Sequence, residues 1–464
     1  MPHVMISAVC KSSGKTTVSL GLCRALSGRG VSVQPFKKGP DYIDPMWLTE
    51  AAGRPCYNLD FRTMAPQEIR ARFARHAQAA DIALVEGNKG LHDGMDLHGS
   101  DSNAALARVL GAPVVLVIDT QGMARGIAPL ILGYQAFAPD VHIAGVILNK
   151  VAGARHEGKL RAAIEHYTAV RVIGSIGLDA SLAITERHLG LIPTCESGAA
   201  EQTIARIAAA VGASVDLGAL MKIAATAQSL PQVSGPVGVP GRGLDVRIGI
   251  ARDAAFGFYY ASDLEAFHEA GAELVPFDTL RDPHLPPVDG LFIGGGFPET
   301  HLDALKANVS LRRDLRTAIE AGLPVYAECG GLMYLARSIS WQGRRVEMVG
   351  AIPADVVMSQ RPAGHGYVRL RETGQGLWPD ARAEFDAHEF HYSTLTNVSA
   401  ELGYAYEVLR GVGIDGRRDG IIYRNVLASY AHLHACEANS WPRRFVSFVR
   451  RWANSAPMRA AANA

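Results

Sequence analysis

Short runs of valine, isoleucine and other apolar residues recur through the first half of the chain, at His3–Val9, Val31–Phe36, Asp81–Val85, Pro113–Ile118 and Ile143–Leu148. Stretches long enough for helices separate them. A strand that is apolar at nearly every position has no side to turn to water, so it must be covered on both faces. The pattern therefore predicts an α/β domain: a doubly wound parallel sheet with helices on either side. The stretch Ser229–Gly243 (SLPQVSGPVGVPGRG) breaks the rhythm with proline and glycine and has no period, as an interdomain linker would. The rhythm restarts at Val246–Ala251, Glu273–Phe277, Asp289–Ile293 and Pro324–Ala327, which predicts a second doubly wound domain. The expected division is residues 1–228, a linker over 229–245, and a second domain over 246–464.

The 464 residues are enough for each domain to bury a core of its own. A formal net charge of +1 gives no global electrostatic case for nucleic acid or an anionic membrane. Six scattered cysteines (Cys10, Cys23, Cys56, Cys195, Cys329 and Cys436) show no paired short spacing, so neither a disulfide framework nor a zinc site is expected. The opening MPHVMISAVCKSSGK has no cationic segment leading into a long apolar one. No apolar run reaches the ~18 residues of a spanning helix. A cytoplasmic protein is expected.

The first predicted strand runs into Ser12–Ser13–Gly14–Lys15–Thr16–Thr17, which opens a helix reaching about Leu26. A glycine here lets the backbone curl so that N–H groups at a helix N-terminus face phosphate oxygens. Lys15 would reach the β- and γ-phosphates, and the Thr16 hydroxyl would bind Mg²⁺. Val9 stands where the full phosphate-loop pattern has its first glycine. An ordinary capped helix with a first-turn lysine is the plain alternative. After the second strand, Phe36–Pro45 (FKKGPDYIDP) brings Lys37 beside Asp41, Tyr42 and Asp44, a mixture suited to phosphate, metal and carboxylate, or simply a solvated loop. Glu86 ends another strand at the carboxyl edge of the sheet, where ligands of open α/β sheets bind, and is a candidate Mg²⁺ carboxylate. Asn149 ends the Ile143–Leu148 strand and is a candidate reader of the adenine edge, though a strand-end asparagine is also a common turn former.

In the second half, Pro324–Met333 (PVYAECGGLM) is a strand running into a cysteine, two glycines and a helical pattern. Such an elbow exposes Cys329 to a helix N-terminus, which favours a thiolate, and lets the Gly330 N–H receive an oxyanion. Gly295 and Gly296, in the Gly294–Glu299 run directly after another strand, would complete the oxyanion hole. A buried inert cysteine is the alternative for Cys329 taken alone. The segment Val426–His434 reads as a strand ending in two histidines, with His432 as the base and His434 placed to orient it. The other cluster, His388–Glu389–Phe390–His391, lacks the i, i+4 histidine spacing of a zinc helix and reads as substrate contact or structure.

A thiolate with a base and an oxyanion hole can release ammonia from glutamine through a thioester. A nucleotide site can make an inert carboxylate reactive by phosphorylating it. Together they describe ATP-dependent amidation. Over nearly its whole length the chain resembles the cobyrinic acid a,c-diamide synthases of corrinoid biosynthesis. The residues that carry the resemblance are SSGKTT (Ser12–Thr17), FKKGPDYIDP (Phe36–Pro45), RHLGL (Arg187–Leu191), GGGFPE (Gly294–Glu299), AECGG (Ala327–Gly331), HEFHYS (His388–Ser393) and ASYAHLH (Ala428–His434). The resemblance implies a dethiobiotin-synthetase-like ATPase domain followed by a class I type glutamine amidotransferase domain. It implies Cys329 as nucleophile, His432 as its activator, and Mg²⁺ working with ATP. Ser13, Gly14, Lys15, Thr16, Thr17, Lys37 and Asn149 would bind nucleotide, and Thr16, Asp44 and Glu86 the metal. Asp41, Tyr42, Asn88 and Lys89 would meet the substrate, a tetrapyrrole polycarboxylate, with L-glutamine as nitrogen donor.

Two departures stand out. Many class I amidotransferases have a glutamate two residues after the histidine, where this chain has His434. Asn88–Lys89 stands where the corrinoid enzymes usually have Val-Met, which points toward a sirohaem- or sirohydrochlorin-type macrocycle. A reading of another class is a phosphate-loop ATPase switch joined to a non-catalytic, amidotransferase-like binding module. The sequence does not decide whether the chain works as a homodimer.

Overall fold

The computed structural model describes residues 1–187, 190–230, 243–378 and 383–455. The chain divides into two compact units, Met1–Val237 and Gly238–Ala464. Most of the expected linker, residues 231–242, and His188 and Leu189 of the RHLGL motif lie outside the described residues.

In the first unit the chain alternates strand and helix: β1 (His3–Ala8), α1 (Lys15–Ser27), β2 (Val33–Lys38), α2 (Ile43–Ala52), β3 (Tyr57–Leu59), α3 (Pro66–Ala77) and β4 (Ile82–Glu86). It continues through α4 (Asn103–Leu110), β5 (Val114–Asp119), α5 (Ile127–Phe137), β6 (Ile143–Val151), α6 (Ala154–Tyr167) and β7 (Arg171–Gly177). The seven strands form one sheet in the order β3-β2-β4-β1-β5-β6-β7. Every pairing in it is parallel. β1, β2 and β4 are buried at every position, including the polar residues His3, Gln34, Lys37, Lys38 and Glu86 that their largely apolar runs carry. Later helices α7 (Ala200–Ser214) and α8 (Leu217–Ala224) add Ile204, Ile207, Val211 and Leu220 to the core beside α1. The short β3 and the more polar β7 were not anticipated from sequence; neither carries the long apolar run that marks the other five.

The second unit departs from a purely doubly wound domain. Its nine-stranded sheet has five parallel strands, Ala272–Phe277, Val246–Ala251, Gly290–Ile293, Val325–Glu328 and Val426–Ser429, in that spatial order. Four antiparallel strands then extend one side: Arg418–Tyr423, Gly403–Arg410, Gly364–Glu372 and Glu384–His391. Glu384–His391 alternates in burial, and Gly403–Arg410 and Arg418–Tyr423 are only partly buried, so these strands lack the continuous apolar signal of a strand covered on both faces. An aromatic core of Phe267, Phe292, Tyr326, Trp441 and Phe445 packs one face of the sheet against the C-terminal helix Trp441–Asn454. Among the described residues no helix is long and apolar enough to cross a membrane.

Candidate active site

Each unit gathers its own set of reactive side chains. In the first, β1 occupies an inner position of the sheet, so the turn Val9–Gly14 that leaves its carboxyl end is flanked by β4 and β5. Ser12 (φ 63°) and Gly14 (φ 87°) are both left-handed and curl the chain into α1. Gly14, at the N-cap, makes no side-chain capping bond, which leaves first-turn N–H groups for an anion. The Ser13 hydroxyl donates to the Cys10 carbonyl at 2.9 Å and braces the turn. Lys15 is buried; desolvation, then the neighbouring Lys37, holds its pKa below the ordinary lysine value. Thr17 is half-buried in the first turn of α1.

Thr16, Lys37, Asp44 and Glu86 meet in one cluster. The Thr16 hydroxyl donates to Glu86 Oε1 at 2.7 Å and lies 3.4 Å from Asp44 Oδ2. Lys37 Nζ donates to Glu86 Oε1 at 2.9 Å and also to Asp44. Burial opposes the charge on Lys37, but Asp44, Glu86 and Asp41 outweigh it and hold the ammonium well above the ordinary lysine range. Glu86 is fully buried, and its Oε2 has no hydrogen-bond partner among the described residues. Asp41 Oδ1 accepts the Ile43 and Asp44 N–H groups at 2.9 and 3.1 Å, which anchors the start of α2. Burial, and the Asp44 carboxylate next to it, push Asp41 up to about 7. Tyr42 is buried at the N-cap of α2.

The amide of Asn149 donates to the Ser13 carbonyl at 2.9 Å, and a Cβ at Gly14 would lie 2.1 Å from that nitrogen. Its immediate task is thus to hold the phosphate loop against the end of β6. Lys38 Nζ donates to Asn88 Oδ1 at 3.1 Å, while Lys89 is exposed and left-handed at φ 42°. Asn103, not singled out from sequence, clamps this loop. It accepts the Asn88 N–H at 3.1 Å and donates to the carbonyls of Asn88 and Gly90 and to Ser7 Oγ. The only sequence signal was a Ser102–Asn103 pair at a helix start, which ordinarily marks a cap.

In the second unit the strand Val325–Glu328 ends at Cys329, whose backbone is forced to φ 46°, ψ −99° before the helix Gly330–Leu335. A positive φ in a residue with a Cβ is strained, and this strand–turn–helix has the form of a nucleophile elbow. Burial, then Glu299, push the thiol up, while the Gly330 N–H favours the thiolate. The thiol also reaches the Phe390 carbonyl at 3.8 Å. Gly295–Gly296 pairs antiparallel with Phe256–Phe258, which lays these two glycines beside the elbow. A Cβ at Gly330 would stand 3.0 Å from the Gly296 N, and one at Gly295 would stand 2.6 Å from His432 Cε1. Glycines, thiol and imidazole therefore share one small cradle.

The strand leading to His432 is shorter than expected and ends at Ser429. His432 is placed instead by a two-way backbone bridge to His388, with N···O distances of 2.7 and 3.2 Å. Burial, then His391, lower its pKa to about 3, so the imidazole is a free base at neutral pH. His434, expected to orient it, has its Nε2 3.1 Å from Ser262 Oγ. The group facing His432 Nδ1 is Glu328, whose Oε2 lies 3.4 Å away. The His388–His391 segment is structural in part. Glu389 accepts the Val412 and Gly413 N–H groups, and His391 stacks on Tyr430 with centroids 3.9 Å apart. Among the described residues no group of three or more His, Cys, Asp or Glu could hold a metal ion.

Comparison with known proteins agrees with both halves. Residues 3–184 match the model of an AAA domain, and residues 247–440 match that of the CobB/CobQ-like glutamine amidotransferase domain. Cobyrinate a,c-diamide synthase of Magnetococcus marinus is 47% identical over 455 residues, covering 97% of each chain. The chain belongs to the cobyrinate a,c-diamide synthase family. The synthase of Methanosarcina acetivorans is 42% identical, covering 94% of this chain and 92% of its own. That of Archaeoglobus fulgidus is 40% identical, covering 96% and 97%. This member of the family is a glutamine-hydrolysing amide ligase with a nucleotide-binding domain.

Proposed function

We propose that the protein amidates the a and c acetate carboxylates of cobyrinic or hydrogenobyrinic acid, with ATP as activator and glutamine as nitrogen source. The observation that carries this reading is the pairing, in a chain of this family, of an elbow cysteine in a glycine cradle with a phosphate loop closing on Thr16, Asp44 and the buried Lys37 and Glu86.

In the amidotransferase unit, Cys329 Sγ attacks the glutamine amide carbon as His432 takes the thiol proton. The N–H groups of Gly296 and Gly330 stabilise the oxyanion. Return of the proton to nitrogen releases ammonia, and water then hydrolyses the thioester to glutamate. In the other unit, the substrate carboxylate attacks the γ-phosphate of ATP to give an acyl phosphate and ADP. Ammonia displaces phosphate from the acyl carbon and leaves the carboxamide.

The loop N–H groups with Lys15 and Lys37 supply positive charge to the transferring phosphoryl. Thr16, Asp44 and the unpartnered Oε2 of Glu86 form an all-oxygen donor set that fits Mg²⁺, a hard cation that keeps several waters and phosphate oxygens. Bound there, Mg²⁺ would neutralise charge on the phosphate oxygens. Asp41, Tyr42, Asn88 and Lys89 line the loops that meet the macrocycle.

A second reading, the same reaction on a sirohaem-type macrocycle, is favoured by Asn88, whose side-chain oxygen holds Lys38 in a way no Val-Met pair could. The deciding experiment is a mass-spectrometric assay with ATP, Mg²⁺ and glutamine, offering cobyrinic acid, hydrogenobyrinic acid and sirohaem side by side. A gain of two amides on a corrinoid supports the first reading. The same gain on sirohaem alone replaces it with the second, and no gain on any of the three rejects both.

A further inference from the structure

We infer that Glu328, the residue directly before the nucleophile, is the positioning residue for His432 and takes the place of the carboxylate that many class I amidotransferases carry two residues after their histidine. This rests on the reading of Cys329 and His432 as the glutaminase pair.

A histidine that accepts a proton at one ring nitrogen must hold its own proton on the other, and an acceptor facing that nitrogen fixes the tautomer. Three groups could serve here. His434 sits at the usual sequence position but is turned to Ser262. Asp419 is buried, but it accepts the N–H groups of Gly420, Tyr430 and Ala431. Glu328 Oε2 lies 3.4 Å from Nδ1, and both side chains are almost fully buried.

The carboxylate is held for this task. Its Oε1 accepts the Tyr326 hydroxyl at 2.7 Å and the Leu433 N–H at 2.8 Å, which leaves Oε2 toward the imidazole. Leu433 directly follows His432, so the same bond ties the base's own backbone to the strand of the nucleophile. With Oε2 on the Nδ1 proton, Nε2 keeps its lone pair for the Cys329 proton, and no bond to Glu328 is made or broken. Burial pushes Glu328 up to about 8, so the orienting carboxylate forms as pH rises toward that value. The titratable groups around the pair include Cys329, Glu299, Asp419, Tyr259, Tyr326 and Tyr406, with His388 and His391 on the strand bridged to His432.

Glu328→Gln is the test, because the two donors into Oε1 dictate how the amide must sit. They hold the amide oxygen, so the NH₂ faces His432 Nδ1 and donates to it. The imidazole is then driven to the wrong tautomer, with its proton toward the thiol. Glutamine-dependent kcat should fall about 100-fold or more, the size of a general-base contribution. The glutamine KM and the ammonia-dependent amidation should stay within about threefold, well inside that loss. The wild-type glutaminase rate should rise with an inflection near 8, and the variant should lack it. Glu328→Asp, which keeps the charge, should recover part of the lost kcat.

A Gln variant with glutaminase kcat within about threefold of wild type would overturn the inference. Should that variant fail to fold, a wild-type glutaminase rate with no inflection near pH 8 would do the same. Glutaminase activity surviving in Cys329→Ser would instead sink the underlying nucleophile assignment, a distinguishable result.

Discussion

Lys37 Nζ lies 2.9 Å from Glu86 Oε1 with both side chains almost wholly removed from water, an ion pair joining the ends of two adjacent parallel strands. Asp44 completes it from α2. Charges so placed are costly to separate, since either alone would be left desolvated. Lys37→Met should destabilise the first unit by about 3 kcal/mol, read as a lower denaturation midpoint. It should also abolish amidation with ammonia. Wild-type stability and activity together would show that the pair neither braces the unit nor serves the reaction.

Separating the two half-reactions requires two variants. Cys329→Ser should lose glutamine-dependent amidation and keep the ammonia-dependent reaction. Lys15→Ala should lose both, because no nitrogen source replaces an unactivated carboxylate. Ammonia-dependent turnover at the normal rate in Lys15→Ala would remove the first unit's loop from the mechanism.

Gly295 probes the cradle. Its Cβ would fall 2.6 Å from His432 Cε1, against a buried ring pinned by its backbone bridge to His388. Gly295→Ala should therefore displace the base and lower glutamine-dependent kcat about 10- to 100-fold, as small misplacements at a reacting centre do. Ammonia-dependent amidation should be unchanged. Equal rates of glutamine hydrolysis in variant and wild type would place the imidazole's working position elsewhere.

His76 gives a pH signature in the first unit. It stacks on Tyr57 with centroids 3.6 Å apart, and burial, then Arg75, Arg72 and Arg54, lower its pKa to about 3. The unfolded chain therefore binds this proton more readily than the folded one. The stability it contributes is fully present above about pH 6.5 and drains away as pH falls toward 3. His76→Phe, which keeps an aromatic ring on Tyr57, should show a shallower loss of stability in denaturant melts across that window. Superimposable pH curves for the two proteins would rule this out.

Several features were legible before any coordinates. Strands β1, β2, β4, β5 and β6 and the five parallel strands of the second unit were marked by short runs rich in apolar residues. The phosphate loop and the cysteine elbow were legible because each is a contiguous strand–turn–helix whose bends need particular residues, Gly14 in one and the Gly330–Gly331 pair in the other. The antiparallel half of the second sheet was not, since half-buried strands such as Glu384–His391 alternate in burial and include five charged or histidine positions.

What sequence alone determined is therefore what neighbours along the chain can encode: two α/β domains, where each turns sharply, and which candidate nucleophile and candidate phosphate-binding lysine sit at the turns. Strand order decided the rest. Placing β4 between β1 and β2 brings Glu86 to both Thr16 and Lys37, residues that nothing local connects. Pairing Val325–Glu328 with Val426–Ser429 brings Glu328 to His432, while the bridge to His388 turns that histidine inward and leaves His434 for Ser262. A carboxylate's partner depends on which strands lie side by side. That is settled by packing the whole sheet and not by any spacing along the chain.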